Sequence, residues 1–264
     1  MSAAIGEARL EVSMHEQIAV LRLDNPHKRN ALSHTLLEAI IEACAECSRR
    51  KVRAIVLRAQ PVSSIWSAGH DISELPLDGS DPLAFGRPFE HMLRAVRAVP
   101  CPVIAMVQGS VWGGAVDLVL SCDMVIADPS ASFSMTPANI GLPYNLAGLL
   151  HFVGRLPLNV VKEMFFTAAT IGAEEALRLG IVNHLLPADE IETYTLALAG
   201  KIARKAPLAV AAVKAQLRVL ADLSAVPAES MDAITELRRA AYQSADFQEG
   251  VTAFHEKRAP VFRG

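Results

Sequence analysis

The first half of the chain shows the two spacings of apolar side chains that distinguish strands from helices. Residues 9–14 and 17–23 alternate apolar and polar positions around His15-Glu16, which predicts a β-hairpin. Residues 52–57 and 103–107 are largely continuous apolar runs, as in strands buried on both faces. Between the hairpin and residue 52, apolar residues recur three and four positions apart, which predicts a helix that starts at Ser33. Its apolar positions are Leu36, Leu37, Ile40, Ile41 and Cys44.

Strands and helices alternate as far as residue 135, and helical spacing dominates afterwards. Strands are predicted at 124–127 and 132–135, and residues 76–88, rich in proline and glycine, are predicted to form a loop. After Asn145 the one strand-like piece is 182–186. Helical spacing is found at 89–99, 115–120, 158–166, 173–179, 191–204, 208–220 and 231–243. The pattern predicts an α/β layered core with largely parallel strand pairing, followed by helices.

Composition and charge narrow the classes of protein to which the chain can belong. Hydrophobic residues make up 52% and charged residues 20% of the 264 residues, which indicates a folded globular protein. The net charge of −3 favours neither nucleic acid nor an anionic membrane as a partner. The sequence shows no secretory signal and no long apolar span, so we expect a cytoplasmic protein. The four cysteines lack the spacing of a metal site, and we expect Cys44 and Cys47 to pack as small apolar residues.

A pair of glycines marks the place where chemistry is most strongly indicated. The segment QGSVWGGAVD (residues 108–117) follows the apolar run 103–107 and precedes a helical run, so we interpret it as strand, glycine turn and helix start. Gly113 and Gly114 carry no β-carbon, and the N–H groups of a first helical turn have no partner within the helix. The helix dipole adds partial positive charge, so this turn favours an oxygen that is becoming negative. The same residues also fit an ordinary strand–helix connection.

A second glycine turn lies in the segment SIWSAGHDISEL (residues 64–75). A short apolar run leads into Ala-Gly-His at 68–70, and Asp71 is placed to cap a helical turn, with Glu74 at the spacing of a capping box. Acyl-transfer chemistry commonly uses two convergent N–H donors aimed at one carbonyl oxygen that becomes an oxyanion. Two such turns in one chain therefore predict an oxyanion hole.

The sequence WSAGHDI at 66–72, followed some 40 residues later by the Gly-Gly helix start, resembles the crotonase (enoyl-CoA hydratase/isomerase) superfamily. The resemblance covers nearly the whole chain, from NPHKRNALS at residue 25 to EKRAP, which ends at residue 260. Within the superfamily, SAGHDI, GSVWGG and SMTP…PYN resemble the branch that decarboxylates methylmalonyl-CoA. The resemblance implies an α/β fold of the ClpP/crotonase type. Residues 1–200 would form its spiral ββα core, and the helices of 201–264 would form trimer contacts and cover the coenzyme A.

The resemblance also implies a site. The backbone N–H groups of His70 and Gly114 would bind the thioester oxygen, while the His70 imidazole is open to a purely structural role. Substrate or coenzyme A contacts are implied for a further set of residues: Lys28, Ala68, Gly69, Asp71, Ile72, Thr136 and Lys257. For Thr136, helix capping ahead of Pro137 is the alternative, and for the two lysines it is an ordinary solvated charge.

Tyr144 and Asp117 separate the branches of the superfamily. Tyr144 resembles the position that reaches the substrate carboxylate, although it also fits an ordinary half-buried tyrosine. A neutral phenol, with a pKa of about 10, orients a carboxylate without balancing its charge, so the carboxylate stays free to leave as CO2. Asp117 and Ala138 fall where hydratases carry their two catalytic glutamates. Water addition usually needs both acids, so the hydratase pair is broken, and we do not assign Asp117 a catalytic role.

The sequence therefore predicts an acyl-CoA decarboxylase that converts methylmalonyl-CoA, or a similar malonyl-type thioester, to propionyl-CoA and CO2 through a thioester enolate. His70, Gly114 and Tyr144 would act in catalysis, with no metal, biotin or other prosthetic group. The expected assembly is a homotrimer or a hexamer of two trimers. Two alternatives stay open: a hydratase or isomerase that uses Asp117, and an acyl-CoA-binding oligomer without catalysis.

Overall fold

The computed structural model describes residues 9–60, 64–76, 78–84, 86–221 and 228–263. Within these residues two sheets are formed. The strands are β1 (Arg9–His15), β2 (Ile18–Asp24), β3 (Ala54–Ala59), β4 (Ile65–Ser67), β5 (Val103–Val107), β6 (Ser110–Trp112), β7 (Met124–Ala127), β8 (Ser132–Ser134), β9 (Thr170–Gly172) and β10 (His184–Leu185).

Helices follow or separate most of these strands. They are α1 (His34–Arg49), α2 (Pro88–Ala98), α3 (Gly114–Ser121), α4 (Leu146–Val153), α5 (Leu158–Thr167), α6 (Ala173–Leu179), α7 (Ile191–Ala203), α8 (Pro207–Ala221), α9 (Ala228–Tyr242) and α10 (Ala245–Glu256). Short 3-10 helices lie at Pro26–Lys28, Ile72–Glu74 and Pro137–Ile140. In the part of the chain that the structure describes, no helix has the length and apolarity needed to cross a membrane.

The larger sheet has the strand order β1-β2-β3-β5-β7-β10, and all its pairs except β1–β2 are parallel. The smaller sheet has the order β4-β6-β8-β9, with β8–β9 as its antiparallel pair. The chain passes repeatedly from a strand of the larger sheet to a strand of the smaller sheet and then to a helix. The predicted layered α/β core with largely parallel pairing is confirmed.

Side-chain alternation divides the larger sheet between two cores. Ile55 and Leu57 of β3 belong to the main core, whereas Ala54 and Val56 face a second cluster against α7, where Ile191 is buried. Successive side chains of a strand point to opposite faces, so a strand covered on both sides must be apolar throughout. This explains why residues 52–57 and 103–107 show apolar runs in place of alternation.

The predicted first helix is confirmed at its start and along its apolar face. Ser33 is the N-cap of α1, and its hydroxyl accepts a hydrogen bond from the Leu36 N–H at 3.4 Å. Cys44 and Cys47 are buried on the core side as expected, and burial raises the pKa of the Cys44 thiol to about 12. Cys101 and Cys122 are also free and buried, so all four thiols serve as packing groups.

Several local predictions differ from the structure. Glu74 does not close a capping box with Asp71. Its carboxylate accepts from the His34 N–H at 2.7 Å and thus caps α1 in place of its own turn. Helices α4 and α10 and strand β9 lack individual predictions, and the strand expected at 182–186 is reduced to β10. Of the loop predicted at 76–88, residues 78–84 and 86–87 form turns and bends, residues 77 and 85 lie outside the described part, and Pro88 begins α2.

Candidate active site

The two glycine turns predicted from the sequence meet side by side. Strand β4 pairs in parallel with β6, so the turn after each strand emerges at the same edge of the smaller sheet. Gly69 has φ +86°, and a Cβ there would lie 2.5 Å from the Trp112 carbonyl oxygen and 3.3 Å from the Gly114 nitrogen. No side chain fits at that position, so glycine is required for the two backbones to approach.

Two backbone N–H groups converge at this contact. A Cβ on Gly114 would lie 3.6 Å from the His70 nitrogen, which places the two amides as neighbours. Gly114 is the first residue of α3, so its N–H has no intrahelical acceptor. Leu32 bonds the carbonyl of Gly69 and the N–H of Asp71, and no described residue accepts from the His70 N–H between them. Two neighbouring N–H donors of this kind are what an oxyanion hole requires.

The His70 side chain supports this arrangement from behind. Its Nδ1 lies 3.1 Å from the Leu32 carbonyl oxygen, and its ring centroid is 5.6 Å from that of Phe89. Burial lowers the pKa of His70, so the ring is neutral and Nδ1–H donates to the carbonyl. These contacts use the imidazole for packing and orientation, which agrees with the role that the sequence left open for it.

Lys28 and Asp71 form an ion pair beside the first turn. The Lys28 Nζ donates to Asp71 Oδ2 at 2.6 Å and to Ser73 Oγ at 3.2 Å. Burial acts to raise the pKa of Asp71, but the hydrogen bonds from Lys28 and Ser73 outweigh it and hold the pKa below its usual value. Asp71 also caps Ile72–Glu74, as predicted. The lysine is about half exposed, so its ammonium lies at the rim of the site.

Thr136 directly precedes the 3-10 helix Pro137–Ile140, and Lys257 directly follows α10, which packs against that helix. A Cβ on Gly113 would lie 3.2 Å from Thr136 Oγ1, so the hydroxyl is next to the second glycine turn. Thr136 occupies the N-cap position with Pro137 following, but its side chain makes no capping hydrogen bond, so the predicted capping role is wrong. Lys257 is exposed at the C-cap of α10, and α10 approaches Pro137–Ile140 closely at Gly250.

Asp117 lies one turn of α3 beyond Gly114 and is completely buried. Its Oδ2 accepts from the Tyr144 hydroxyl at 2.6 Å, and its Oδ1 is 2.6 Å from the His151 Nδ1. The His151 Nε2 in turn is 2.9 Å from Arg97 NH1. Burial and the Asp117 carboxylate hold the pKa of Tyr144 well above its usual value, so this residue stays a neutral phenol.

A second buried acid lies close to this group. Glu90 of α2 is 2% exposed, and its Oε1 accepts from the Asn145 side-chain amide, which also donates to the Leu83 carbonyl at 2.7 Å. Burial and the charge of Asp117 raise the pKa of Glu90 although the hydrogen bond from Asn145 acts against them. Among the described residues no group of three or more side chains is arranged to hold a metal ion.

The contact between two glycine turns at one edge of the smaller sheet agrees with the comparison with known proteins. A profile described as enoyl-CoA hydratase/isomerase matches residues 13–264. The chain belongs to this family, the crotonase superfamily. The resemblance found in the sequence is confirmed over nearly the whole chain.

Individual crotonases give the same result. The methylmalonyl-CoA decarboxylase of Escherichia coli K12 is 43% identical over 248 residues, which cover 94% of this chain and 95% of that protein. A probable enoyl-CoA hydratase of Rhodobacter capsulatus is 34% identical over 257 residues, 97% of each. The solved structure of a methylmalonyl-CoA decarboxylase in complex with 2-nitronate-propionyl-CoA matches with a TM-score of 0.94 at 42% identity, covering 97% of this chain and 98% of that one. The predicted crotonase fold is confirmed, and the protein is a crotonase-family acyl-CoA enzyme.

Three residues of this crotonase site have no counterpart among the sequence predictions: Glu90, Arg97 and His151. Glu90 and Arg97 are seven positions apart on α2, so they share a face with the fully buried Leu93. Charged residues on an otherwise apolar helix face were the feature of the sequence that could have indicated Glu90 and Arg97. His151 offered none, because its partner Asp117 lies 34 residues away in sequence.

Proposed function

We propose that this crotonase-family enzyme decarboxylates methylmalonyl-CoA or a closely similar malonyl-type thioester to the corresponding acyl-CoA and CO2. The observation that carries the proposal is the hydrogen bond from a neutral, partly buried tyrosine, Tyr144, to Asp117, which lies one helical turn after Gly114 of the paired N–H groups. One group would hold the thioester oxygen and the other would meet the carboxylate. The similarity to a methylmalonyl-CoA decarboxylase supports the same reaction.

The two N–H donors act on the charge that develops during bond cleavage. As the bond between the α-carbon and the carboxylate breaks, its electron pair moves into the thioester carbonyl and produces an enolate oxyanion. Donors that are fixed in place before reaction stabilise this oxyanion more than the neutral carbonyl, which lowers the barrier. The thioester itself accepts the electrons, so the step uses no other electron sink, and a proton taken up at the α-carbon then converts the enolate to the acyl-CoA.

Tyr144 would orient the leaving carboxylate. Overlap between the breaking bond and the carbonyl π system requires the carboxylate to stand out of the thioester plane. The Tyr144 hydroxyl donates to Asp117, so it must turn from Asp117 to the substrate to make this contact. A phenol with a raised pKa remains a donor of one hydrogen bond and brings no positive charge that would hold the carboxylate back.

The remaining predicted contacts belong to the coenzyme A and acyl portions. We assign Ala68, Gly69, Asp71 and Ile72 to the wall that the first turn presents to the thioester. Lys28, at the exposed rim, would meet a phosphate, and we retain Lys257 as a second phosphate contact. Thr136, next to Gly113, would lie against the acyl group.

Hydratase or isomerase chemistry is the second candidate, and one observation favours it. Asp117 is accompanied by a second buried acid, Glu90, whose raised pKa would let one carboxyl be protonated beside a charged one. This would supply the acid pair that Ala138 fails to complete. Against it, the Asp117 carboxylate already accepts from Tyr144 and His151, which leaves it less able to bind water.

One experiment decides between the candidates. Purified protein is incubated separately with malonyl-, methylmalonyl- and ethylmalonyl-CoA, with CO2 release as the readout, and with crotonyl-CoA, with loss of the enoyl absorbance as the readout. We expect CO2 release from at least one malonyl-type thioester and negligible hydration. Hydration as fast as decarboxylation would favour the second candidate, and binding without any turnover would indicate an acyl-CoA-binding protein.

We also propose that the chain assembles as a trimer or a pair of trimers through its C-terminal helices. Helix α8 contains no buried residue and exposes Leu208, Val213, Leu217 and Leu220. Exposed apolar side chains grouped in this way commonly mark a contact with another protein chain. The division of roles at residue 200 stays a prediction, and that position falls inside α7. Light scattering coupled to gel filtration should give three or six times the chain mass of 28.3 kDa. A monomer would contradict the assembly.

A further inference from the structure

Asp117 is a buried carboxylate whose two oxygens each accept a separate hydrogen bond. Tyr144 of the loop before α4 donates to Oδ2, and His151 near the end of α4 donates to Oδ1, both at 2.6 Å. The Asp117 side chain is 0% exposed and that of His151 is 6% exposed, so water does not compete at either oxygen. A buried carboxylate depends on such partners, because removing one leaves an acceptor without compensation for the water it has lost.

The contact with Arg97 determines which tautomer the His151 ring adopts. A guanidinium carries only donors and stays charged, so the contact at 2.9 Å makes the His151 Nε2 an acceptor. The ring hydrogen must then be on Nδ1, where it points to Asp117. The result is a directed chain that runs from Arg97 on α2 through His151 on α4 to Asp117 on α3.

Two further charged groups of α2 lie near this chain. Glu90 is an acid that accepts from the Asn145 amide, and Arg94 donates to the Glu90 carbonyl oxygen at 3.4 Å. Through hydrogen bonds, Arg97 brings a positive charge toward Asp117 by way of His151.

This arrangement matters because the Tyr144 hydroxyl has a single hydrogen. It cannot donate to Asp117 and to a substrate carboxylate at the same time. When it turns to the substrate, Oδ2 of Asp117 loses its donor while a second carboxylate arrives nearby. Among the described residues, the donor that then remains on Asp117 is His151, which is itself hydrogen-bonded to the charged Arg97.

We infer that His151 and Arg97 are positioning residues that hold Asp117 in place by hydrogen bonds, so that the Tyr144 hydroxyl can be released to the substrate carboxylate. The inference rests on the proposed function, since it requires a substrate that carries a carboxylate. It assigns a function in turnover to two residues that touch neither the thioester nor the leaving group.

A pair of substitutions at His151 separates positioning from packing. In His151→Asn the amide nitrogen takes nearly the place of the imidazole Nδ1 and can still donate to Asp117, but the ring volume is lost. In His151→Phe the ring volume is kept and the donor is lost. If His151 positions Asp117, kcat/KM for methylmalonyl-CoA should fall at least tenfold in His151→Phe and be partly restored in His151→Asn. A packing role gives the opposite order, with Phe closer to wild type.

A second pair at Arg97 keeps the inference testable if the His151 variants fold poorly. Arg97→Lys retains a charged donor to the His151 Nε2, whereas Arg97→Met does not, so the Met variant should lose the larger share of kcat/KM. Affinity for propionyl-CoA, which has no carboxylate, should change less than twofold in either. Equal losses in the Lys and Met variants, or equal losses of propionyl-CoA affinity and turnover, would overturn the inference.

The hydrogen-bond chain also has a readout independent of turnover. In 15N NMR of the full protein with labelled histidine, the signals absent from His151→Asn should identify a ring with protonated Nδ1 and bare Nε2. Arg97→Met should shift this ring toward a mixture of tautomers, and an unchanged tautomer would overturn the inference. Absence of decarboxylation by the wild type would overturn the proposed function, whereas an active wild type in which His151→Phe exceeds His151→Asn would overturn the inference alone.

Discussion

The hydroxyl of Tyr144 donates a hydrogen bond of 2.6 Å to the buried carboxylate of Asp117. These two residues come from different segments, the start of α3 and the loop before α4, and Asp117 lies one helical turn after Gly114. The contact links the residue expected to bind the leaving carboxylate with an acid at a position where hydratases of the family carry a glutamate. It decides how the substitutions below should behave.

Replacing Tyr144 by Phe keeps the ring and removes the hydroxyl. Decarboxylation should fall by more than about tenfold, or ~1.4 kcal/mol, because nothing then orients the substrate carboxylate. Propionyl-CoA affinity should change little. The fold should persist, since Asp117 Oδ2 loses one donor, at a cost of about 1–3 kcal/mol. The measurements are kcat/KM for methylmalonyl-CoA and the Kd of propionyl-CoA.

Tyr194→Phe is the matched control for that variant, because Tyr194 lies on α7 against His184 in the second cluster and away from Asp117. Its turnover should equal that of the wild type. If Tyr144→Phe also decarboxylates at the wild-type rate, Tyr144 is a packed ring and the decarboxylase proposal loses its main support.

The Gly114 N–H can be tested with two substitutions that both add a Cβ and of which only one removes the donor, although proline also restricts its own φ and the conformation of the preceding Gly113. Both Gly114→Ala and Gly114→Pro add a Cβ, which would lie 2.9 Å from Phe89 Cζ, so both require the Phe89 ring to shift. Alanine keeps the N–H and proline removes it, while proline is tolerated at the first position of a helix. Turnover of the proline variant should be roughly 10²- to 10³-fold below that of the alanine variant.

Circular dichroism and melting temperature must show that both Gly114 variants retain the fold. Equal turnover in two folded variants would remove the Gly114 N–H from the mechanism.

Glu90→Gln should change how stability depends on pH. The folded-state pKa of Glu90 is raised above its ordinary 4.5, first by burial and then by Asp117. The contribution of this carboxyl to stability is therefore fully present below about pH 4.5 and is lost as the pH rises through the folded-state pKa. Glutamine stays neutral and retains an oxygen for Asn145. The melting temperature of the variant relative to wild type should therefore increase from pH 4 to pH 8.

Glu163→Gln provides the comparison for Glu90, because Glu163 is exposed on α5. Its melting temperature relative to wild type should show no such trend. A constant difference for Glu90→Gln as well would mean that Glu90 ionises in the fold as readily as in the unfolded chain.

Lys28→Met tests the proposed phosphate contact at the rim. If the ammonium meets a phosphate of coenzyme A, the Kd of propionyl-CoA should rise about tenfold, ~1.4 kcal/mol, and depend less on salt. Isothermal titration at two salt concentrations measures both effects. Lys205→Met, an exposed lysine after α7, is the control and should leave the Kd unchanged. Equal affinities for the two variants would restrict Lys28 to its ion pair with Asp71.

The local elements of this protein and the identity of its two glycine turns could be predicted from the sequence. Apolar spacing is a local property, and it sufficed for the hairpin β1–β2, the start of α1 at Ser33 and the alternation of strands and helices. The motifs around His70 and Gly114 sufficed for the family, because a turn without a β-carbon followed by a helix start is written in adjacent residues.

Which distant groups come together near these turns depends on the three-dimensional packing of the chain. The two N–H groups meet because β4 pairs with β6 and because no Cβ fits at Gly69 beside the Trp112 carbonyl. Glu74 caps a helix 40 residues earlier in place of its own turn, and Asp117 gains Tyr144, His151 and, through it, Arg97 from separate segments. Side-chain hydrogen bonds between packed helices depend on how those helices cross and rotate, and this orientation is set by the whole core and not by any local spacing.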